Sequence, residues 1–230
     1  MKIYRTIDGI ILQQVDALRS YNLETSWNEL IDRDDLFAFI SEEWEKAEEL
    51  NDPIDSSRLL APIGSQEIWA AGVTYYSSRL ARMEESKDSG GGDFYSRVYV
   101  ADRPEIFFKA TASRTVGPGQ NFRIRKDSTW DVPEPELTLF ATSNGKIVGY
   151  TVGNDVSSRS IEGENPLYLP QAKTYDACAC LGPCLYVPEE PLAKSTRISM
   201  QIERGSELVF SDVTHLEQMK RTPDELIGFL

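Results

Sequence analysis

Two glutamates separated by one proline, Glu134-Pro135-Glu136, stand in the otherwise largely apolar stretch TWDVPEPELTLF. In an extended strand, residues i and i+2 point to the same face, so the two carboxylates would lie side by side. Like charges at that spacing repel, and burial without a partner costs several kcal/mol. The pair therefore either faces water or has a positive group between its members.

The hairpin that follows brings a third carboxylate to the same place. Asn144-Gly145 predicts a type I′ turn, and Asp155 follows this turn at about the distance by which Glu134 and Glu136 precede it. Antiparallel register therefore places Asp155 close to both glutamates. Three carboxylates form a hard-oxygen site that suits Mg²⁺ or Mn²⁺. An acidic hairpin rim in water explains the same spacing, and the spacing alone does not decide between the two.

The cysteines and the single histidine limit the other chemistries. Cys178, Cys180 and Cys184 all lie in DACACLGPC, and a zinc site there lacks a fourth ligand, because the only histidine, His215, lies far down the chain. Reduced thiols in an apolar strand are the favoured interpretation. His215 is interpreted as structural, and we expect it to be dispensable for chemistry.

Strands and turns are expected to position these residues. KIYRTIDGIILQQV predicts a hairpin that turns at Asp8-Gly9, and an amphipathic helix is expected from about Asp34 to Leu50. We expect residues 1–60 to form a small N-terminal subdomain and residues 61–230 a larger domain.

The larger domain is predicted to consist mostly of strands. EIWAAGV and EIFFKA predict two of them, and TRISMQIERGSELVFSDV predicts a hairpin that turns at Arg204-Gly205. Thr222-Pro223-Asp224-Glu225 is typical of a capped helix start, and that helix is expected to run to Leu230 without a glycine stop. No βαβ alternation is present, so the predicted class is β-rich α+β.

Composition excludes some partners. The 230 residues are 40% hydrophobic and 27% charged, with a net charge of −13. That surface repels nucleic acid and anionic lipid, and no apolar run is long enough to span a bilayer. The N-terminus lacks a secretory pattern, so we expect a cytoplasmic protein without nucleic-acid or membrane partners.

Several motifs together resemble the fumarylacetoacetate hydrolase superfamily: RPEIFFKAT, PEPELTLF, GYTVGNDVSSR and NPLYLPQAKTYD. The resemblance runs from about Trp69 to Val187. It implies a mixed β-fold around a rolled sheet, with Glu134, Glu136 and Asp155 as ligands of Mg²⁺, or of Mn²⁺ or Ca²⁺. It also implies that Lys173 hydrogen-bonds a bound 2-oxo acid, that the catalytic domain is residues 61–230, and that the chain forms a homo-oligomer.

Within that superfamily, GVTYYSSRLAR, VYVADRPEIFFKAT and ENPLYLPQAK resemble the 2-keto-3-deoxy-D-arabinonate dehydratase branch. The hydrolase branch usually carries a histidine where Ser78 stands. Because His215 is the only imidazole, a His-Glu hydrolytic dyad is not available there. The resemblance therefore favours elimination over C–C hydrolysis.

The implied reaction is Mg²⁺-dependent dehydration of a C5 2-keto-3-deoxy sugar acid to 2,5-dioxopentanoate. A metal-stabilised enolate forms when a C3 proton leaves, and the C4 hydroxyl then departs with help from a general acid. Glu105 is the candidate base, with Lys173 as the other catalytic residue. Lys109 and Lys173 offer charge to the substrate, Tyr75 and Arg79 are expected to face its tail, and Arg159 is expected to anchor backbone or carboxylates.

The sequence also departs from the family pattern. Ser160 stands where an aspartate usually follows the arginine, and relatives continue for further strands beyond the position of Leu230. We therefore expect the C-terminal strands of the roll to be missing and the domain to be incomplete. Two alternatives stay open: an acylpyruvate-type hydrolase or decarboxylase of the same superfamily, and an inactive metal-binding or oligomer-forming short form.

Overall fold

The structure is a computed structural model that describes residues 1–22, 25–75 and 97–230. The strands are β1 Lys2–Thr6, β2 Gly9–Gln14, β3 Ala17–Tyr21, β4 Glu48–Glu49, β5 Glu67–Gly72, β6 Glu105–Thr111, β7 Thr115–Val116, β8 Asp131–Val132, β9 Pro135–Ala141, β10 Ile147–Asp155, β11 Ser157–Ser158, β12 Ala179–Tyr186, β13 Arg197–Arg204 and β14 Glu207–His215. The helices are α1 Trp27–Ile31, α2 Leu36–Lys46, α3 Arg159–Glu164, α4 Leu169–Lys173 and α5 Pro223–Ile227.

A mixed eight-stranded sheet forms the centre of the fold. Its strands run in the order β4-β3-β2-β1-β12-β10-β9, and β7 lies parallel to β12 beside that path. The β5–β6 and β13–β14 pairs form separate two-stranded sheets. The predicted β-rich α+β class is confirmed. No helix in the described part of the chain is long and apolar enough to cross a membrane.

The N-terminal hairpin belongs to the central sheet. Strand β1 pairs with β12, with Ile3 opposite Leu185, and the hairpin turns at Ile7 and Asp8, one residue before the predicted position. The division at residue 60 stays a prediction.

The predicted amphipathic helix is present as α2 but is shorter than expected. Asp34 lies outside it, since Asp35 is the N-cap. The Asp34 carboxylate accepts hydrogen bonds from Thr142 Oγ1 (2.6 Å) and Asn144 Nδ2 (2.9 Å). At the other end, Ala47 is extended and leads into β4. The apolar face of α2, with Leu36 and Ile40, packs into the core against the sheet.

The β9–β10 hairpin has the predicted register but not the predicted turn. Gly153 pairs with Glu136, and the Asp155 amide donates to the Glu134 carbonyl at 2.9 Å. The loop is longer than two residues: the Gly145 amide donates to the Thr142 carbonyl at 2.8 Å, and Gly145 has φ +77° whereas Asn144 does not have a positive φ. A type I′ turn needs a positive φ at both central residues, so that prediction was wrong.

The C-terminal hairpin and helix lie close to where the sequence predicts them. Strands β13 and β14 pair around a turn at Gly205 and Ser206, one residue after the predicted position. Helix α5 begins with the predicted capping box, in which Thr222 and Glu225 cap one another. The helix ends at Ile227, with Gly228 as its C-cap, so the expectation of a helix to Leu230 without a glycine was wrong.

Candidate active site

A cavity of about 900 Å³ opens between the central sheet, the β5–β6 pair and the C-terminal elements. Every predicted site residue that the structure describes lines it: Tyr75, Glu105, Lys109, Glu134, Glu136, Asp155 and Lys173. Arg79, and Ser78 beside it, lie outside the described residues.

Lys173 lies between two of the three carboxylates. It ends α4, and its ammonium nitrogen lies 2.5 Å from Glu134 Oε2 and 2.9 Å from Asp155 Oδ2. The same nitrogen lies 5.6 Å from the centre of the Phe107 ring. The Lys173 side chain is only 2% exposed, so these attractions act with little screening by water. The positive group expected beside Glu134 is therefore Lys173. The second carboxylate that contacts this lysine is Asp155, whereas the sequence suggested Glu136.

Lys109 supports Asp155 from the other side. This residue of β6 is 1% exposed, and its ammonium nitrogen lies 2.6 Å from Asp155 Oδ1. Burial alone would raise the pKa of the Asp155 carboxyl. The charges of Lys173 and Lys109, with their hydrogen bonds, outweigh burial and hold that pKa below its ordinary value.

Arg159 holds the outer oxygen of Glu134, as the sequence led us to expect. It starts α3, is 8% exposed, and one of its terminal nitrogens contacts Glu134 Oε1. The other terminal nitrogen lies 2.8 Å from Glu162 Oε2. Glu162 is 4% exposed and was missed by the sequence analysis. Its i,i+3 spacing from Arg159 was the available signal, but helix α3 itself was not predicted.

Tyr75 and Glu136 lie on a neighbouring part of the wall. Tyr75 is 6% exposed and forms an antiparallel bridge with Met219, which holds it from the C-terminal segment. Burial raises the pKa of the Tyr75 hydroxyl, and the negative charge of Glu136 raises it further. Tyr75 therefore stays protonated at neutral pH and can donate a hydrogen bond.

Glu105, the candidate base, begins β6 opposite Gly72 of β5. The absence of a side chain at residue 72 makes room for it: a Cβ added there would lie 2.2 Å from Glu105 Oε2. The β5–β6 pairing therefore sets both the position of this carboxylate and the space it occupies.

The donor set fits a hard divalent cation by residue type, because Glu134, Glu136 and Asp155 are carboxylates on one cavity wall. Over the described ranges, however, no group of three or more His, Cys, Asp or Glu side chains is arranged to hold a metal ion. Glu134 and Asp155 turn toward Lys173 instead. Their role as metal ligands, with Glu136, stays a prediction.

The cysteines and His215 take no part in this group. Cys178 and Cys184 are buried at and beside β12, and burial raises the pKa of the Cys184 thiol. Cys180 is only partly buried and lines the cavity, and burial likewise raises its pKa. His215 ends β14 opposite Arg197 and is not among the residues that line the cavity.

The relatives point to one family. Two curated relatives are a probable 2-keto-3-deoxyxylonate dehydratase of Haloferax volcanii, 53% identical over 80% of this chain, and a 2-dehydro-3-deoxy-D-arabinonate dehydratase of Saccharolobus solfataricus, 42% identical over 77%. The matched segments span 63% and 60% of those two proteins. An oxaloacetate tautomerase of Xenopus laevis is 30% identical over 74% of this chain and 52% of its own length.

Solved structures agree with that result. A 2-keto-3-deoxyarabinonate dehydratase matches with a TM-score of 0.81 and 32% identity, over 100% of this chain and 82% of its own. A 2-keto-3-deoxy-D-arabinonate dehydratase in complex with magnesium and 2,5-dioxopentanoate matches with a TM-score of 0.79, 31% identity and the same coverage. The family model described as fumarylacetoacetate (FAA) hydrolase C-terminal matches residues 84–230. The chain therefore belongs to the fumarylacetoacetate hydrolase family.

Proposed function

We propose that this protein is a Mg²⁺-dependent hydro-lyase that dehydrates a C5 2-keto-3-deoxy sugar acid, of the arabinonate or xylonate type, to 2,5-dioxopentanoate. The observation that carries the proposal is the buried Lys173 ammonium between Glu134 and Asp155 at a cavity large enough for such an acid. The names of the two curated dehydratases and of the magnesium complex support the substrate class.

The metal would be held by Glu134, Glu136 and Asp155. Bound Mg²⁺ would supply Lewis-acid polarisation of the 2-keto group of the substrate. The protein as a whole is acidic, with a net charge of −13, and repels an anionic substrate. The positive charge of bound Mg²⁺ would offset this repulsion at the site.

Lys173 and Glu105 are the proposed catalytic residues. Lys173 would donate a hydrogen bond to the 2-oxo acid, since its ammonium group lies at the cavity wall. Glu105 would remove the C3 proton, and its carboxylate lines the same cavity. The C4 hydroxyl, which is β to the ketone, would then take up the proton that Glu105 removed from C3 and leave as water. Tautomerisation of the resulting enone, in which C5 and its hydroxyl each lose a proton while C3 and C4 each gain one, would give the C5 aldehyde of 2,5-dioxopentanoate.

Tyr75 is assigned to the tail of the substrate. Its hydroxyl is protonated at neutral pH, as in an ordinary tyrosine, so it can donate to a hydroxyl or aldehyde oxygen. Arg79 is proposed for the same end of the substrate on sequence grounds alone.

The assay is direct. Purified protein with Mg²⁺ is mixed with 2-keto-3-deoxy-D-arabinonate or -xylonate, and 2,5-dioxopentanoate is followed by chromatography. We expect turnover with Mg²⁺ and its loss when a chelator is added. Oxaloacetate and an acylpyruvate serve as competing substrates, and conversion of either one in preference to both sugar acids would contradict the proposal.

We also propose that the protein is a cytoplasmic homo-oligomer. Support for self-association comes from the β13–β14 hairpin, whose apolar residues Leu208 and Val209 are 52% and 43% exposed. In the part of the chain that the structure describes, these two strands pair only with one another. Exposed apolar strands of this kind favour contact with a second chain.

A further inference from the structure

We infer that Lys109 is a positioning residue that sets Lys173 and Asp155 in place, and that it does not contact the substrate. This inference rests on the proposed function, and it replaces the sequence-based expectation that Lys109 binds substrate. It follows from the number of N–H donors on a lysine side chain and from the acceptor that each donor contacts.

The donors of Lys109 are fully used by the protein. An ammonium group carries three N–H donors and no acceptor. The Lys109 nitrogen lies 2.6 Å from Asp155 Oδ1, 2.9 Å from the Val156 carbonyl oxygen and 2.5 Å from the Lys173 carbonyl oxygen. Each donor therefore has one acceptor, and none is left for a substrate oxygen.

The surroundings of Lys109 close the remaining approach. The residue is 1% exposed, and its nitrogen lies 5.7 Å from the centre of the Tyr175 ring. The Tyr175 hydroxyl donates to the Val156 carbonyl at 3.1 Å, so Tyr175 shares an acceptor with Lys109. A substrate atom could reach the ammonium only by displacing one of these groups.

The three acceptors come from two places in the chain that meet at the site. Asp155 ends β10, Val156 follows it, and the Lys173 carbonyl is at the C-terminal end of α4. A cation is favourable at the end of a helix, where unpaired carbonyls carry partial negative charge. Lys109 on β6 therefore ties the helix that carries Lys173 to the strand that carries Asp155.

The two lysines differ in what their donors contact. Lys109 donates to one carboxylate and two backbone carbonyls, whereas Lys173 donates to the side chains of Glu134 and Asp155. Backbone carbonyls do not move out of the way of a ligand, but carboxylate side chains can rotate. Lys173 can therefore exchange a partner for a substrate oxygen, whereas Lys109 is fixed.

The first test uses the wild-type protein. Among the lysines that the structure describes, only Lys109 and Lys173 are buried. In protein labelled with ¹⁵N at lysine Nζ, we expect two ammonium signals with slow hydrogen exchange, of which Lys173→Met removes one. On addition of oxalate, a mimic of the 2-oxo acid group, to protein already saturated with Mg²⁺, the Lys173 signal should shift strongly and the Lys109 signal should stay nearly unchanged.

A Lys109 signal that exchanges as fast as those of exposed lysines, or that shifts as much as the Lys173 signal, would overturn the inference. This measurement needs no turnover and no folded Lys109 variant. Absence of sugar-acid turnover by the wild type would count against the proposed function alone.

The second test separates positioning from contact by kinetics. Lys109→Met should lower kcat by on the order of 10²-fold, because the groups it orients are displaced. KM for the sugar acid should change by less than about threefold, because no substrate contact is lost. Lys194→Met, at an exposed lysine, is the matched control and should leave both constants unchanged. A rise in KM with kcat unchanged, or no effect on either constant, would show that Lys109 is not a positioning residue.

Discussion

Single residues account for the charge balance of the site. Glu134 and Asp155 are neutralised by Lys173, Lys109 and Arg159, each of which is less than a tenth exposed. Spacing in the sequence was enough to align Asp155 with Glu134, because register follows from the period-two geometry of strands. It could not give the pairing of each lysine, because that depends on the packing of β6 and α4, which are distant in sequence.

At this scale, we predict that Lys173→Met lowers the free energy of unfolding by about 3–5 kcal/mol, since it removes the one cation that both carboxylates share from a largely buried site. Urea denaturation followed by circular dichroism measures the loss. Lys194→Met should stay within about 0.5 kcal/mol of wild type. A loss of less than about 1 kcal/mol for Lys173→Met would mean that Arg159 and Lys109, or water, already balance Glu134 and Asp155.

A second residue-scale prediction concerns the space that the Glu105 side chain occupies. In Gly72→Ala the new methyl group takes the space of Glu105 Oε2, and the flexible carboxylate end must move. We expect the melting temperature to change little and kcat to fall by on the order of 10-fold or more, since a displaced base transfers a proton less well. Thermal melts and steady-state kinetics check both parts. Unchanged kcat in a folded Gly72→Ala protein would remove Glu105 from the mechanism.

Elements position these residues, and the sequence predicted the longer ones best. All three predicted hairpins, the α2 helix and the α5 cap are present. The shorter helices α1, α3 and α4 were not predicted, because five or six residues carry too little periodicity to reveal a helix. Two of these helices, α3 and α4, carry Arg159 and Lys173. The contacts of these two side chains with Glu134 and Asp155 could therefore not be predicted from the sequence pattern.

At the scale of the element, the β9–β10 turn sets the register that aligns Asp155 with Glu134. Gly145 has φ +77°, and a Cβ there would have Ile227 Cγ2 as its nearest neighbour, at an ordinary 3.7 Å. Gly145→Ala should therefore cost about 1–2 kcal/mol from backbone conformation alone. Gly145→Asn should cost less, because asparagine tolerates this region. Urea denaturation of both variants gives the comparison, and an equal loss in both would point to steric contact instead.

The whole molecule has an acidic surface and an exposed apolar hairpin at one end of the chain. We predict that wild type is larger than a monomer in light scattering after gel filtration, and that the double variant Leu208→Glu, Val209→Glu shifts toward the monomer. Ile7→Glu, at another exposed apolar position (60% exposed), is the matched control and should keep the wild-type mass. A wild-type protein that is monomeric across a hundredfold dilution range would contradict the predicted oligomer.

The central claim is that the carboxylate and lysine group serves dehydration of a sugar acid rather than cleavage of a carbon–carbon bond. The most direct measurement is mass spectrometry of the products formed from a C5 2-keto-3-deoxy acid with Mg²⁺. The account predicts one five-carbon product, lighter than the substrate by one water, that forms with wild type and not with Lys173→Met. Two shorter fragments, or a product that forms equally well with Lys173→Met, would contradict it.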